Sequence, residues 1–502
     1  MPAGFLIKMD YETVIGLEVH VQLNTKSKMF CACAADYQTA PPNSRVCPVC
    51  LGLPGALPVI NRQAVEYTIM TGLALGCRIP EYSKFDRKNY PYPDLMKGYQ
   101  ISQFDLPFAV QGCLEIRVNG QAKVIGVERV HLEEDVAKLQ HFPDQDGNSY
   151  SLVDVNRSGV PLMEIVSMPD MRSPEEARAY LTTIHSMVQY LGVSTANMQD
   201  GSFRCDANIS IRPQGATELG TRSEVKNMNS FRSVFQALNY EVERQRQVVE
   251  DSGRVVQETR GWLEDRGVTI SLRSKEHAHD YRYFPEPDLP PLVVESGWVE
   301  RLLAQLPELA YQRKLRFMDQ YGLPEYDADL LTSSRLTADY FEQAAGQRPQ
   351  NGVNTGALAK QVSNWMLGDL SRLMNLHGQD ISQIKVTPAH LFQLISLIDG
   401  GALSVSLAKT VLEECFESGE RPDNIVADKG YSQINDSSAV EAAVKEAIDQ
   451  NPKAVADYWS GKETAAKFLV GQVMKLTRGQ AKPDLAQQLV LEGLEAARDE
   501  KP

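Results

Sequence analysis

Between Tyr283 and Pro291 the chain reads Tyr-Phe-Pro-Glu-Pro-Asp-Leu-Pro-Pro, and the spacing of apolar residues differs on its two sides. The four prolines fix φ and remove backbone donors, so this stretch resists regular pairing and a domain boundary is expected just after it. Before it, from Tyr11 to about Val294, short alternating runs are broken by Pro, Gly and Asn, the pattern of a β-rich region. Val14–Leu23 sets Ile15, Leu17, Val19, Val21 and Leu23 on one strand face and Gly16, Glu18, His20 and Gln22 on the other. Arg204–Arg212 alternates in the same way, with Arg204, Asp206, Asn208 and Ser210 opposite Cys205, Ala207, Ile209 and Ile211. One helix should interrupt, opened by the cap-like pair Ser173-Pro174 and running to about Leu191.

Beyond about Gly297 the period becomes helical, as in Leu358, Val362, Trp365, Met366, Leu370 and Leu373. Thr387-Pro388 opens a helix that Gly400-Gly401 closes, and Asn451-Pro452 is a further start signal. The expected fold class is therefore α+β: a β-rich domain over 1–295, an all-α helical domain over 296–410 and a C-terminal helical tail domain over 411–502. A chain of 502 residues has room for about three domains.

Hydrophobic residues at 43% and charged residues at 23% exclude collagen-like and disordered chains. The first residues lack a secretory pattern and no apolar run approaches bilayer length, so a soluble, cytoplasmic protein is expected. The net charge of −14 excludes a broadly basic surface coating nucleic acid, although a local patch needs only a few cations to grip phosphate.

Four of the eight cysteines are grouped: Cys31-Ala-Cys33 and, after thirteen residues, Cys47-Pro-Val-Cys50. Two close pairs joined by a loop deliver four thiolates to a tetrahedral Zn²⁺, and a site filled by four protein ligands is structural because no position remains for a reacting water. Two reduced surface pairs, or a redox dithiol at Cys47 and Cys50, are the alternatives. An acidic constellation comes next. Glu18 and His20 share a strand face, His131-Leu-Glu-Glu-Asp135 packs four ionisable groups together, and Glu164 stands alone in the apolar run Leu162-Met-Glu-Ile-Val166. A carboxylate in such surroundings is costly unless paired or metal-bound, and oxygen donors with a minority of imidazole suit Mg²⁺ or Mn²⁺. A solvated strand face is the plain alternative. Lys84-Phe-Asp-Arg-Lys-Asn-Tyr-Pro-Tyr-Pro-Asp94, Lys97-Gly-Tyr-Gln-Ile-Ser-Gln103, Glu224-Val-Lys-Asn-Met-Asn-Ser230 and Asp280-Tyr-Arg-Tyr-Phe284 mix cations and amides with aromatic rings, a mixture that can bind phosphate and stack a base. No G-x-x-x-x-G-K-[ST], kinase Gly-rich loop or G-x-S-x-G occurs, so nucleotide chemistry would need another kind of pocket.

The ordered motifs Glu12–Leu23, Lys84–Tyr90, Gly98–Asp105, His131–Asp135, Arg204–Ser210, Asp280–Asp288 and Phe468–Lys475 closely resemble the B-subunit family of the bacterial tRNA-dependent amidotransferases, essentially end to end. That resemblance implies a cradle-shaped β-rich domain, a helical domain and a tRNA-binding tail. It implies ATP-dependent phosphorylation of the side-chain carboxylate of Glu-tRNA(Gln), and in many members Asp-tRNA(Asn), followed by amidation with ammonia. The ammonia would come from a partner amidase, the A chain of a heterotrimer, braced by its small third chain, C. By position, Glu18, His20, Glu134 and Glu164 match the family's Mg²⁺ residues. Arg204 and Asp206 are expected in the same cavity, and Lys88 is expected to contact ATP phosphate or the aminoacyl end of tRNA.

In the tail, Lys467, Lys475, Arg478 and Lys482 recur within a short run of an acidic chain, which phosphate binding explains. The alternative is a solvated helix face over a core of Phe468, Leu469, Val473 and Leu476. Two rival functions stand beside the enzyme reading: a tRNA-docking protein without chemistry, and a free-standing ligase using ammonia directly.

Overall fold

The computed structural model describes residues 10–143, 149–274, 281–347, 355–431, 437–477 and 481–499. Two compact units divide the chain, Met1–Leu309 and Ala310–Pro502.

The first unit is built on an eight-stranded sheet with spatial order Val268–Ser274, Glu258–Leu263, Ser223–Met228, Phe203–Pro213, Tyr11–Gln22, Pro161–Ser167, Gln121–Glu134 and Ala109–Val118. All neighbours are antiparallel except Ser223–Met228 with Glu258–Leu263. The alternation along Tyr11–Gln22 sends Ile15, Leu17, Val19 and Val21 into the core, where each buried side chain contributes about 1.5–3 kcal/mol. Cys205, Ala207, Ile209 and Ile211 do the same on Phe203–Pro213.

Helices α1 (Arg62–Ala74), α2 (Pro174–Leu191) and α3 (Phe231–Glu250) cover that apolar face. Ser173 caps α2 by accepting from the Glu176 N–H, Pro174 takes the first turn, and Gly192 ends it in the left-handed region at φ 71°. The opposite face of the sheet carries Glu18, His20, Arg204 and Asp206. A three-stranded sheet of Asp86–Asn89, Tyr99–Ser102 and Phe284–Pro285 uses part of the proline-rich stretch as a short strand at its edge. The unit extends past that stretch to Leu309 because helix α4 (Ser296–Ala304) packs Leu302 into its core.

The second unit is helical and has two apolar clusters, one drawn from Phe317 to Ile425 and the other from Val440 to Leu494. Thr387 caps Pro388–Asp399 in a capping box, and Pro452 opens Pro452–Trp459. The run containing Trp365 and Leu370 is one continuous helical path, Thr355–His377, interrupted by the π-helical segment Met366–Leu370. In Thr464–Leu476, Leu469 and Val473 are buried, but Phe468 and Leu476 are exposed at 48% and 39%. Of the four core residues in the solvated-face alternative, two are therefore buried. Lys467, Lys475 and Lys482 are exposed, and Arg478 lies outside the described residues. No described helix is long and apolar enough to cross a membrane.

Candidate functional site

Register brings the first group together. In the antiparallel pairing His20 lies opposite Glu164 on one side and Arg204 on the other, while Glu164 in turn lies opposite His131. Directly paired residues share a sheet face, so imidazole, carboxylate and imidazole form a row across three strands. Glu164 Oε2 is 3.4 Å from His20 Nε2 and 3.2 Å from His131 Nε2. Glu133, two residues after His131 and so on its face, reaches both rings at 3.8 Å and accepts from Ser102 Oγ at 3.1 Å. The ligand atoms of His20, Glu133 and Glu164 all fall within 4.8 Å of one another.

Glu134 is elsewhere. One residue out of phase, it faces the other way and is held by Lys97 Nζ at 2.7 and 2.8 Å and by the Ile101 N–H at 2.8 Å. Strand parity with His131 is the sequence signal that selects Glu133 over Glu134. Glu18 belongs to a second group with Asp206 and Glu224, again within 4.8 Å. There Asn208 Nδ2 donates to Glu18 Oε1 at 2.9 Å and Lys226 Nζ donates to Asp206 at 2.5 Å. Arg204 does not join either group but donates to Asp135 Oδ2 at 2.8 Å, and Gln22 donates to the same oxygen at 2.6 Å.

Lys88 sits at the edge of the first group. Its ammonium lies 5.1 Å from the Tyr281 ring centre and 5.8 Å from that of Tyr90, within cation–π range. Tyr281 is delivered by pairing, its carbonyl accepting from the Asn89 N–H at 2.8 Å, and Tyr283 stacks on Phe104 at 4.4 Å. The Lys84–Tyr90 and Asp280–Phe284 motifs are thus one wall, although Asp280 lies outside the described residues.

Charges in this wall and row are mutually dependent. Burial opposes ionisation of Glu164, but His131 and His20 outweigh it and hold its pKa well below the usual carboxylate range. Burial likewise opposes a charge on His131, yet Glu164 and Glu133 lift its pKa to about 9. For Lys88 burial also works against the charge, and Glu133 reverses the sign so that its pKa is raised. Glu18 is pushed up by burial and then by Glu164 and Asp206. His131 Nδ1 is buried with no hydrogen-bond partner among the described residues. Two carboxylates and an imidazole converging beside an excess of like charge fit a divalent cation of the oxygen-preferring class.

The cysteines form a separate site. Cys31, Cys33, Cys47 and Cys50 have their sulfurs within 4.8 Å of one another, and the 3.9 Å between Cys47 and Cys50 is close to the ~3.8 Å edge of a tetrahedron of Zn–S bonds. The Cys47 N–H donates to Cys50 Sγ at 3.1 Å. The hydrogen bond from Cys31 lowers the pKa of the Cys50 thiol against the effect of burial. The loop is stitched to the short turn Val155–Arg157 by Asn43, whose Oδ1 accepts from the Val155 N–H at 2.8 Å, and by Asn156, whose Oδ1 accepts from the Arg45 N–H at 2.7 Å.

Residues 13–300 match the family described as the GatB/GatE catalytic domain, and residues 339–494 match the one described as the GatB domain. The chain is 57% identical over 487 residues to the B subunit of the aspartyl/glutamyl-tRNA(Asn/Gln) amidotransferase of Dehalococcoides mccartyi, covering 97% of this chain and 99% of the relative. Proteins of the same name from Carboxydothermus hydrogenoformans and Thermomicrobium roseum are each 54% identical, again over 97% of this chain and 99% of their own.

Proposed function

The chain belongs to the B-subunit family of the aspartyl/glutamyl-tRNA(Asn/Gln) amidotransferases, and from that premise we propose that its first unit performs the ATP-dependent half of the amidation. A side-chain carboxylate oxygen of Glu-tRNA(Gln), or of Asp-tRNA(Asn), attacks the γ-phosphorus of ATP and ADP leaves. Ammonia then attacks the acyl carbon and phosphate leaves. Activation is needed because a carboxylate is a poor acyl electrophile and an acyl phosphate has a good leaving group.

The observation that carries this reading is the His20–Glu164–His131 row with Glu133 beside it and Lys88 at its edge. His20, Glu133 and Glu164 would hold Mg²⁺, with Glu18 in the adjoining group. A cation bound there would neutralise the ATP phosphates and the incoming carboxylate. Lys88 would take a phosphoryl or carboxylate oxygen, its ammonium kept charged by Glu133 and steadied by the tyrosine rings. Asp135 fixes Arg204 next to His20, where the guanidinium can meet a further phosphate oxygen. A protein that only docks tRNA has no use for two imidazoles aimed at one buried carboxylate.

The four cysteines would hold a structural Zn²⁺, and the tail over 411–502 would bind the body of tRNA through Lys467, Lys475 and Lys482. Ammonia would arrive from an amidase partner braced by a small third chain. The test uses the assembled complex: Glu164→Ala or Glu18→Ala should abolish ATP-dependent transamidation while glutamine hydrolysis continues. Equal loss of both in a correctly assembled complex would overturn the reading.

A further inference from the structure

Lys28 is fully buried, yet its ammonium has one polar partner among the described residues, the Val155 carbonyl at 3.3 Å. A buried ammonium with a single neutral acceptor is costly, because three donors and a full charge have left water for one hydrogen bond. The backbone shows what lies nearby. The Lys28 N–H donates to the Cys33 carbonyl at 2.9 Å, so Lys28 sits in the same tight hairpin as the first cysteine pair. Its side chain runs past Gly159, where a Cβ would stand in ordinary van der Waals contact with Lys28 Cδ at 3.6 Å.

We propose that Lys28 is the counter-charge of the tetra-cysteine site, its ammonium offsetting the negative charge of a zinc ion bound by four thiolates. This role rests on the reading that Cys31, Cys33, Cys47 and Cys50 hold zinc. Four thiolates around one Zn²⁺ leave a net charge of about −2 on a partly buried group. The N–H of Cys47 directed at Cys50 Sγ answers part of it. The Lys28 ammonium, buried in the hairpin that carries Cys31 and Cys33, would answer more. The burial of Lys28 and the charge of the metal site each account for the other: apart they are costly, together they are compensated.

The experiment uses the full chain, wild type and Lys28→Met, which keeps most of the length of the side chain and removes its charge. Zinc affinity is measured by competition with a chromophoric chelator. Thermal unfolding is followed in zinc-saturated protein and in protein stripped of metal under reducing conditions. Lys28→Met should bind zinc about 10–100-fold more weakly, the usual cost of losing an outer partner of a metal site. In the stripped state the sign should reverse, with Lys28→Met no less stable than wild type, because the uncompensated ammonium is gone. Equal zinc affinity in the two proteins would overturn the proposal. So would a Lys28→Met protein that is less stable without metal or fails to accumulate, since the side chain would then be needed for packing and not for charge. Wild-type protein that binds no zinc would overturn the metal reading itself, an outcome distinct from either.

Discussion

Glu164 accepts both imidazoles from opposite sides, His20 at 3.4 Å and His131 at 3.2 Å, because its strand lies between theirs and pairs it directly with each. A carboxylate so placed cannot be replaced by a neighbour, since a shift of one residue turns every side chain to the other face.

This gives a discriminating pair of variants at Glu133 and Glu134. Glu133→Gln removes a charge from the row and should lower the ATP-dependent rate by about 10²–10³-fold, the range seen when one preorganised charge-stabilising group is lost. Glu134→Gln alters the Lys97 ion pair and leaves the row's charge intact, so affinity for divalent cation should be unchanged. Cation titration of the two proteins checks this.

The four-cysteine loop should depend on metal. Cys47→Ser should lose zinc by elemental analysis and become open to protease between Lys26 and Leu53, because zinc binding in small peptides supplies about 10–16 kcal/mol. Undiminished protection would count against a structural metal.

His185 gives a pH test on the apolar side of the sheet, the face opposite His20 and Glu164. Its ring packs edge-on against Phe203 and Phe231 at 5.4 and 5.3 Å, and burial lowers its pKa below the usual 6.5. A depressed folded-state pKa contributes stability that is complete above the unfolded value and is lost as pH falls below it. The unfolding midpoint should therefore drop from pH 7 towards pH 5, and His185→Phe should flatten that segment of the curve. An unchanged slope would show that His185 does not titrate on unfolding.

The tail predicts a salt effect. Lys467 and Lys475 lie on the exposed side of Thr464–Leu476 together with Phe468, an arrangement suited to gripping phosphate beside a stacked base. Replacing both lysines by Ala should raise the KM for Glu-tRNA(Gln) and reduce the salt slope of binding by about 1 for each lysine–phosphate ion pair removed. Glutamine hydrolysis by the complex should be unaffected.

Much of the fold is legible in the chain itself because period-2 alternation decides which side chains share a face. Ile15 through Val21, Cys205 through Ile211 and the Ser173 cap all lie where the pattern puts them. Glu133 is hard to pick out because His131–Asp135 offers carboxylates of both parities, and its parity with His131 becomes decisive only once pairing with the Glu164 strand turns His131 into the cluster. The burial of Lys28 is hidden too, since a lysine next to cysteines reads as surface from its spacing alone. Phe468 and Leu476 fit a core pattern by spacing, but the helices around them cover only Leu469 and Val473.

Carboxylate activation on the His20–Glu164–His131 face is the claim on which the rest depends. The direct measurement supplies ATP, Mg²⁺ and Glu-tRNA(Gln) without glutamine, traps the acyl phosphate with hydroxylamine, and assays the hydroxamate on tRNA. Wild-type complex should give hydroxamate in proportion to ADP formed, and Glu164→Gln complex should give neither while still hydrolysing glutamine. Hydroxamate formed at the wild-type rate by Glu164→Gln would contradict the account.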